Sequence, residues 1–323
     1  MTSTSLSNAL ALPMLGPRKT DSHKGNYGRV LLIGGSYGMS GAIGIAVQAC
    51  LRSGAGLVTA AVPQPSMAIV ASFHPCAMMM PLFASPSGKL HWRARSELLR
   101  CVESFDAIAI GPGLGRSYVT TRIVRELFTN IEQPMVVDAD ALFALSSAGL
   151  DPNAGAYPVD AFSKPACIDE TIERLSHHRG PRILTPHAGE LERLIGAPSS
   201  DRGLQIEATH RLAKSASLHM ILKGNHTLIT DGDIPVFNPT GNPGMASGGS
   251  GDCLTGILTA LLGQGMKAND AARMGTYWHG LAGDLALQEQ GGPSVLATDL
   301  IEQLPRALNV ISSSPTATFD ATP

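Results

Sequence analysis

The feature that most restricts this chain is a series of short apolar runs that stop at glycine-rich turns. Val30 to Ile33 ends at Gly34 and Gly35, and a helical pattern from about Ala42 to Arg52 follows, closing at Gly54 and Gly56. Further runs occupy Leu57 to Val62, Ala107 to Ile110, Met135 to Val137, Ile183 to Leu184 and His219 to Leu222. A strand that is apolar on both faces must be covered by helices on both, which is the requirement of a parallel sheet in an α/β fold. Thr227 to Thr230 and Ile234 to Phe237 flank Asp231-Gly232-Asp233 and predict a hairpin. Two long helices are expected over 249–262 and 268–288, the second with Asn269 and Asp270 as cap candidates. The weakly periodic segment from Ser146 to Arg182 is expected to be a helix with an insertion.

Composition narrows the function classes. Twenty-four Lys and Arg against 26 Asp and Glu leave a net charge of −2, and 44% of the residues are hydrophobic, so disorder and a polybasic nucleic-acid surface are both excluded. The cysteines at 50, 76, 101, 167 and 253 are scattered without a CxxC spacing. They make no disulfide framework or zinc motif, and a cytoplasmic location is expected. The apolar stretch Ala9 to Leu15 is broken by Pro13 and has no basic residue before it, unlike a signal peptide. Met67 to Ala84 contains His74, Pro75 and Pro81 and falls short of a membrane span, so no membrane partner is expected.

The segment NPTGNPGMASGGSGDCL, Asn238 to Leu254, carries the sharpest chemical signal. Backbone N–H groups of Gly249, Ser250 and Gly251 at a helix start, with little side chain in the way, form a concave anion hole. Asp252, in the same turn, is placed to take a proton from a hydroxyl while the amides stabilise a transferring phosphoryl group. The same residues also suit a plain helix cap; the long glycine-rich approach favours chemistry.

Other loops add weaker signals. IGPGLG, Ile110 to Gly115, permits close backbone approach at a strand end, or is an ordinary turn; it is not a dinucleotide fingerprint, and no P-loop motif occurs. Asp138 and Asp140 would bind magnesium through water or orient a polar substrate, or Asp140 would cap a helix. His187 and Glu190 in ILTPHAGE stand at a strand's mouth, where His187 is a ligand contact or a structural histidine. Lys223, Gly224, Asn225, His226 and Thr227 offer donors for phosphate or ribose, or form a solvated hairpin end. Asp21 to Gly25 reads as a mobile basic contact at the same sheet edge as the other loops.

Taken in order, DSHKGNYG, GGSYGMSGA, RSGAGLVTAAVP, IGPGLG, VVDADAL, LTPHAGE, KGNHT and GGSGD resemble the ADP/ATP-dependent NAD(P)H-hydrate dehydratase family over about Asp21 to Pro305. The resemblance implies a ribokinase-like three-layer αβα sandwich with a mostly parallel central sheet. It divides the chain into an N-terminal arm over 1–20, a single domain over 21–308 and a flexible tail over 309–323. The implied reaction is ADP-dependent dehydration of the S epimer of NADHX or NADPHX to NADH or NADPH, giving AMP and phosphate, with Mg²⁺; a ribokinase-like kinase of a vitamin precursor would use the same machinery. Ala42, Gly113, His187 and Asp252 would contact the hydrated nicotinamide nucleotide, and Lys223 to Thr227 with Gly251 would contact ADP or ATP. A homotetramer and cooperation with a separate epimerase are implied as well.

Overall fold

Residues 10–150, 166–313 and 318–319 are described by a computed structural model. Their strands are β1 (Leu10–Ala11), β2 (Arg29–Ile33), β3 (Leu57–Pro63), β4 (Met78–Leu82), β5 (Ala107–Ile110), β6 (Met135–Val137), β7 (Arg182–Leu184), β8 (His219–Leu222), β9 (Leu228–Thr230), β10 (Val236–Phe237) and β11 (Thr318–Phe319). Nine of them form one sheet in the order β10-β9-β8-β7-β6-β5-β2-β3-β4. The sheet is parallel from β8 to β4, and β9 and β10 extend it antiparallel.

The period-two alternation of each strand feeds two cores, one on either face. Val30 and Leu32 of β2, Ala107 and Ala109 of β5 and Val136 of β6 pack on one side, with the helices Ser40–Arg52, Ser250–Gly263, Ala268–Gln290 and Ala297–Ser313. Leu31, Ile33, Ile108, Ile110, Met135 and Val137 face the other side, covered by Arg93–Cys101, Tyr118–Asn130, Asp140–Leu145, Ala188–Ile195 and Arg202–Ala216. The result is the three-layer α/β sandwich with a mostly parallel sheet.

From β2 the chain runs outward through β3 and β4, then returns to β5 on the other side of β2. The turns after β2 and β5 therefore leave a crevice at the carboxyl ends of two adjacent strands, where open α/β sheets bind ligands. The helix Ser250–Gly263 lies against this crevice because it packs closely on Ser40–Arg52. A methyl group on Gly256 would lie 2.2 Å from the Ala46 carbonyl oxygen and 2.9 Å from Ala49 Cβ. Only a bare α-carbon lets these two backbones meet.

Several features depart from the sequence reading. The Met67 to Ala84 stretch holds a helix, Met67–Phe73, and the edge strand β4, which the prolines conceal in the sequence. Pro81 is tolerated because β4 pairs only with β3. Neither Asn269 nor Asp270 caps the helix Ala268–Gln290: both lie inside it, Lys267 precedes it without a side-chain cap, and Asn269 instead donates to Asp231 Oδ2 at 2.7 Å. The last helix runs to Ser313, beyond the expected boundary at 308, because Ala307 and Ile311 continue its buried stripe. Beyond it, β11 pairs antiparallel with β1 and buries Phe319 edge-on against Tyr277. The Ser146 to Arg182 segment contains the 3₁₀ turn Ser147–Leu150 and the helix Ile168–Leu175, and its residues 151–165 lie outside those described. No helix among the described residues is long and apolar enough to cross a membrane.

Gly256→Ala is expected to cost about 1–3 kcal/mol, the range for overpacking a close contact. Urea unfolding measures it; an unchanged midpoint would show that the two helices part freely.

Candidate functional site

The approach to the last crevice-lining helix is fastened to its neighbour, Ala268–Gln290. The Asn238 amide donates to the carbonyls of Thr240 at 2.9 Å and Thr276 at 3.3 Å, and Thr240 Oγ1 donates to the Tyr277 carbonyl at 2.9 Å. Asp284 accepts from Gly241 N at 2.9 Å and from the Asn242 amide at 2.9 Å. This anchored loop delivers Gly249, whose φ of +95° turns the chain into the helix. The first i to i−4 bond there is Cys253 N to Gly249 O, at 2.9 Å. Ser250 N leans back on the Ser247 carbonyl at 3.5 Å, so the orphan donors of the first turn are those of Gly251 and Asp252. Within the expected anion hole of Gly249, Ser250 and Gly251, the Ser250 amide is thus turned back to Ser247, and the Asp252 amide stands beside that of Gly251.

Asp252 stands among like charges. Burial, with Asp138 the strongest of the neighbouring acids and Asp140 and Glu190 adding to it, pushes its carboxyl up to about 7, against the opposing pull of Lys223. The Lys223 ammonium lies 2.9 Å from Asp138 Oδ1 and 3.8 Å from Glu190 Oε2, while Asp138 Oδ2 accepts from Thr255 Oγ1 at 3.0 Å. Burial alone would lower the ammonium, yet Asp138, Glu190 and Asp252 together hold it above its ordinary value. Its nitrogen is also 3.2 Å from where a Gly251 side chain would begin, so ammonium, bare amides and acid share one small space.

The two glycine turns close the other wall. Gly35 N donates to the Pro112 carbonyl at 3.0 Å and Ser36 N to the Gly113 carbonyl at 2.7 Å. Gly113 has φ +57°, and a methyl there would lie 2.3 Å from the Met39 carbonyl and 3.2 Å from Ala42 Cβ. Ala42 and Gly113, expected together on one ligand, are neighbours. Asp140 does not cap its own helix. It accepts from Gly115 N at 2.9 Å and from Arg116 Nε at 2.8 Å, locking the glycine turn, and the positive φ of Ala139 precedes it.

The remaining candidates divide. His187 is half structural: its Nδ1 accepts from Gly189 N at 3.1 Å and Glu190 N at 3.3 Å, while Glu190 Oε2 accepts from His187 N at 2.9 Å, a reciprocal cap that leaves the ring edge exposed. Lys223 points into the crevice, whereas Gly224, Asn225 and His226 form the exposed hairpin turn, with Thr227 Oγ1 donating to the Gly224 carbonyl at 2.9 Å. That turn is wrapped around Arg202, whose guanidinium donates to the carbonyls of Leu222, Lys223, Asn225 and His226 at 3.3–3.5 Å. Asp21 to Gly25 does not join the site. It precedes the amino end of β2, its Lys24 and Gly25 opening the 3₁₀ turn Lys24–Tyr27, and therefore lies at the opposite edge of the sheet.

Sequence reasoning overlooked Thr255, Arg202, His279 and Asp284. Thr255 stands one turn after Asp252, a spacing that shares a helix face and was available as a signal. Asp284 and His279 lie within a long helical pattern dominated by buried apolar and small residues, where polar side chains facing the core were the only hint.

A family model described as NAD(P)H-hydrate dehydratase matches residues 30–155 and 160–306. The bifunctional NAD(P)H-hydrate repair enzyme of Moorella thermoacetica is 41% identical over 305 residues, 94% of this chain and 53% of that protein, so the chain spans about half the length of this relative. The ADP-dependent (S)-NAD(P)H-hydrate dehydratase of Staphylococcus aureus is 32% identical over 310 residues, 95% of this chain and 96% of that one. Among solved structures, the ADP/ATP-dependent NAD(P)H-hydrate dehydratase of Bacillus subtilis, co-crystallised with ATP and Mg²⁺, superposes with a TM-score of 0.73 at 29% identity, covering 92% of this chain and 94% of that one. A hydroxyethylthiazole kinase from Pyrococcus horikoshii shares the fold at a TM-score of 0.54 and 17% identity.

With its folded value near 7 against an ordinary 3.8, the Asp252 carboxyl binds its proton more tightly in the folded chain. Its contribution therefore favours folding below its ordinary value and is lost as pH rises to about 7. Asp252→Asn, with no charge to bury, is expected to be more stable than the parent at pH 8 and about equal to it at pH 4. Urea unfolding at the two pH values decides it; a variant less stable at pH 8 would show the carboxylate to be held by favourable contacts.

Proposed function

The chain belongs to the NAD(P)H-hydrate dehydratase family, and from that membership we propose that it restores NADH and NADPH from the S epimers of their hydrates, using ADP and releasing AMP and phosphate. The observation that carries the reading is the Asp252 carboxyl, pushed up to about 7 and standing in the first turn of a glycine-opened helix beside Lys223. A base in that range is half ionised near neutrality, and it sits beside donors able to hold phosphate oxygens.

The hydrate's ring hydroxyl gives its proton to Asp252, and its oxygen forms a bond to the terminal phosphorus of the nucleotide as the bridging P–O bond breaks, releasing AMP when ADP is the donor. The Gly251 and Asp252 amides and the Lys223 ammonium accept the charge that spreads over the phosphoryl oxygens. The ring nitrogen's lone pair then breaks the C–O bond, phosphate departs, and the neighbouring ring carbon loses a proton to complete the dihydronicotinamide. Ala42 and Gly113 would leave a bare, close-fitting wall for the nicotinamide nucleotide, and the exposed edge of His187 would meet it from the adjacent strand end. Lys223 to Thr227, held in shape by Arg202, would receive the adenine nucleotide.

Among the described residues no three His, Cys, Asp or Glu side chains form a metal cage. Mg²⁺ needs none when nucleotide phosphates and water supply most of its shell. Glu190 would hold such a hydrated ion through water, and the ion would supply neutralisation of phosphate charge; both oxygens of Asp138 are engaged by Lys223 and Thr255, and Asp140 is committed to Gly115 and Arg116.

Purified protein given NADHX, ADP and Mg²⁺ is expected to regenerate the near-ultraviolet absorbance of the dihydronicotinamide ring, and no regeneration with either ADP or ATP would end this reading. Asp252→Asn should lose about 10²–10⁴ in kcat, the contribution typical of a general base. Activity should rise with pH through about 7 as Asp252 ionises. Because the Lys223 charge holds that carboxyl down, Lys223→Met should move the acid limb of the pH–rate profile to higher pH; a limb that stays or moves down would contradict the assignment.

A further inference from the structure

The helix Ala268–Gln290 sends one imidazole to the start of the phosphate-facing helix. His279 Nε2 lies 2.9 Å from the Ser250 carbonyl oxygen and 3.3 Å from Ser250 Oγ. A carbonyl oxygen only accepts, so Nε2 carries the hydrogen and the ring donates to that peptide. Burial pushes the ring down to about 4, so it stays neutral through the working pH range.

The carbonyl of Ser250 and the N–H of Gly251 belong to the same planar peptide unit and point in opposite directions. Fixing one end fixes the other. The Gly251 N–H is one of the two orphan donors at the crevice, and its peptide joins Ser250, which follows the left-handed Gly249, to Gly251, which has no side chain to restrain it on that flank. A donor at the carbonyl end also polarises the amide, strengthening the bond its N–H makes to an anion.

We propose that His279 is a positioning residue for phosphoryl transfer, aiming the Gly251 N–H at the phosphate by holding the Ser250 carbonyl on the far side of the same peptide plane. This deepens the reading given under Proposed function and rests on it for the identity of the phosphate donor.

The test compares His279→Leu, which keeps bulk without a donor, with His279→Gln, whose amide nitrogen reaches about as far as Nε2. In His279→Leu, kcat for NADHX with ADP is expected to fall roughly 10- to 100-fold, the scale of a misaimed transition-state contact, and ADP binding measured by calorimetry should weaken. The KM for NADHX and the thermal midpoint should hold, and His279→Gln should recover most of both losses. Should His279→Leu fail to fold, His279→Asn, polar but too short, carries the same expectation. A Leu variant within twofold of the parent in kcat and in ADP affinity, or a Gln variant as impaired as Leu, would overturn the proposal. If the parent binds ADP yet never dehydrates NADHX, the dehydratase reading fails, and the ADP affinities of Leu and Gln still decide the role of His279.

Discussion

The Lys223 ammonium is the contact on which the crevice depends. It arrives at the end of β8, meets Asp138 from the end of β6 and Glu190 from the helix after β7, and lies against Gly251 at the start of the helix Ser250–Gly263. One cation thus ties together strand ends and a helix terminus that are remote in sequence. It also sets the local charge: Lys223 pairs with Asp138 and Arg116 with Asp140, while Asp252 is raised first by burial and then by these neighbouring acids, against the pull of Lys223. The sum leaves the Asp252 carboxyl pushed up to about 7. Removing one partner of so enclosed a pair strands the other, which is why such pairs are strongly felt when broken even where their net contribution to folding is small.

That electrostatic arrangement needs the helix terminus to come close, and closeness is a packing problem solved far from the charges. Gly256 lets Ser250–Gly263 sink onto Ser40–Arg52, and alanines at 60, 107 and 109 keep the sheet face beneath shallow. On the opposite flank, Asp284 and the Asn238 side chain hold the loop that delivers Gly249. The core on this side of the sheet therefore acts as a jig for the first turn of one helix. Interiors packed at crystal-like density transmit small displacements rather than absorbing them, so a shift at Gly256 would reach Gly251.

Much of this was legible because the strand runs are apolar on both faces and their ends carry glycines. Ala107–Ile110, Met135–Val137 and His219–Leu222 were readable to the residue, and GGSGD announced a bare helix start beside an acid. Legibility failed where a residue's meaning depends on a distant partner. Asp138 and Asp140 look alike in VDAD, yet one serves a lysine 85 residues away and the other a glycine turn 25 residues back. His187 reads as a ligand contact, and nothing local shows that its own helix claims Nδ1 and leaves only the other ring edge free. His279 sits among Trp, Gly and Leu, and nothing local shows that its ring reaches Ser250, 29 residues earlier. β4 was hidden for the converse reason, since its Pro81 is a breaker in a central strand and harmless at an edge.

The proposed reading raises the question of how a phosphoryl transfer could serve a dehydration. The answer lies in the acceptor rather than in extra catalytic groups. A phosphate ester on an ordinary alcohol is stable and departs as product. An ester on a carbon attached to an electron-rich ring nitrogen is not, because the nitrogen's lone pair expels the phosphate as soon as it forms. On the proposed reading the protein needs one base, one set of anion donors and a cation at the transferred group, which is what Asp252, the first-turn amides and Lys223 supply. Elimination then follows from the substrate's own electrons, and the crevice has only to keep water from the phosphorus and hold the ring until the last proton leaves.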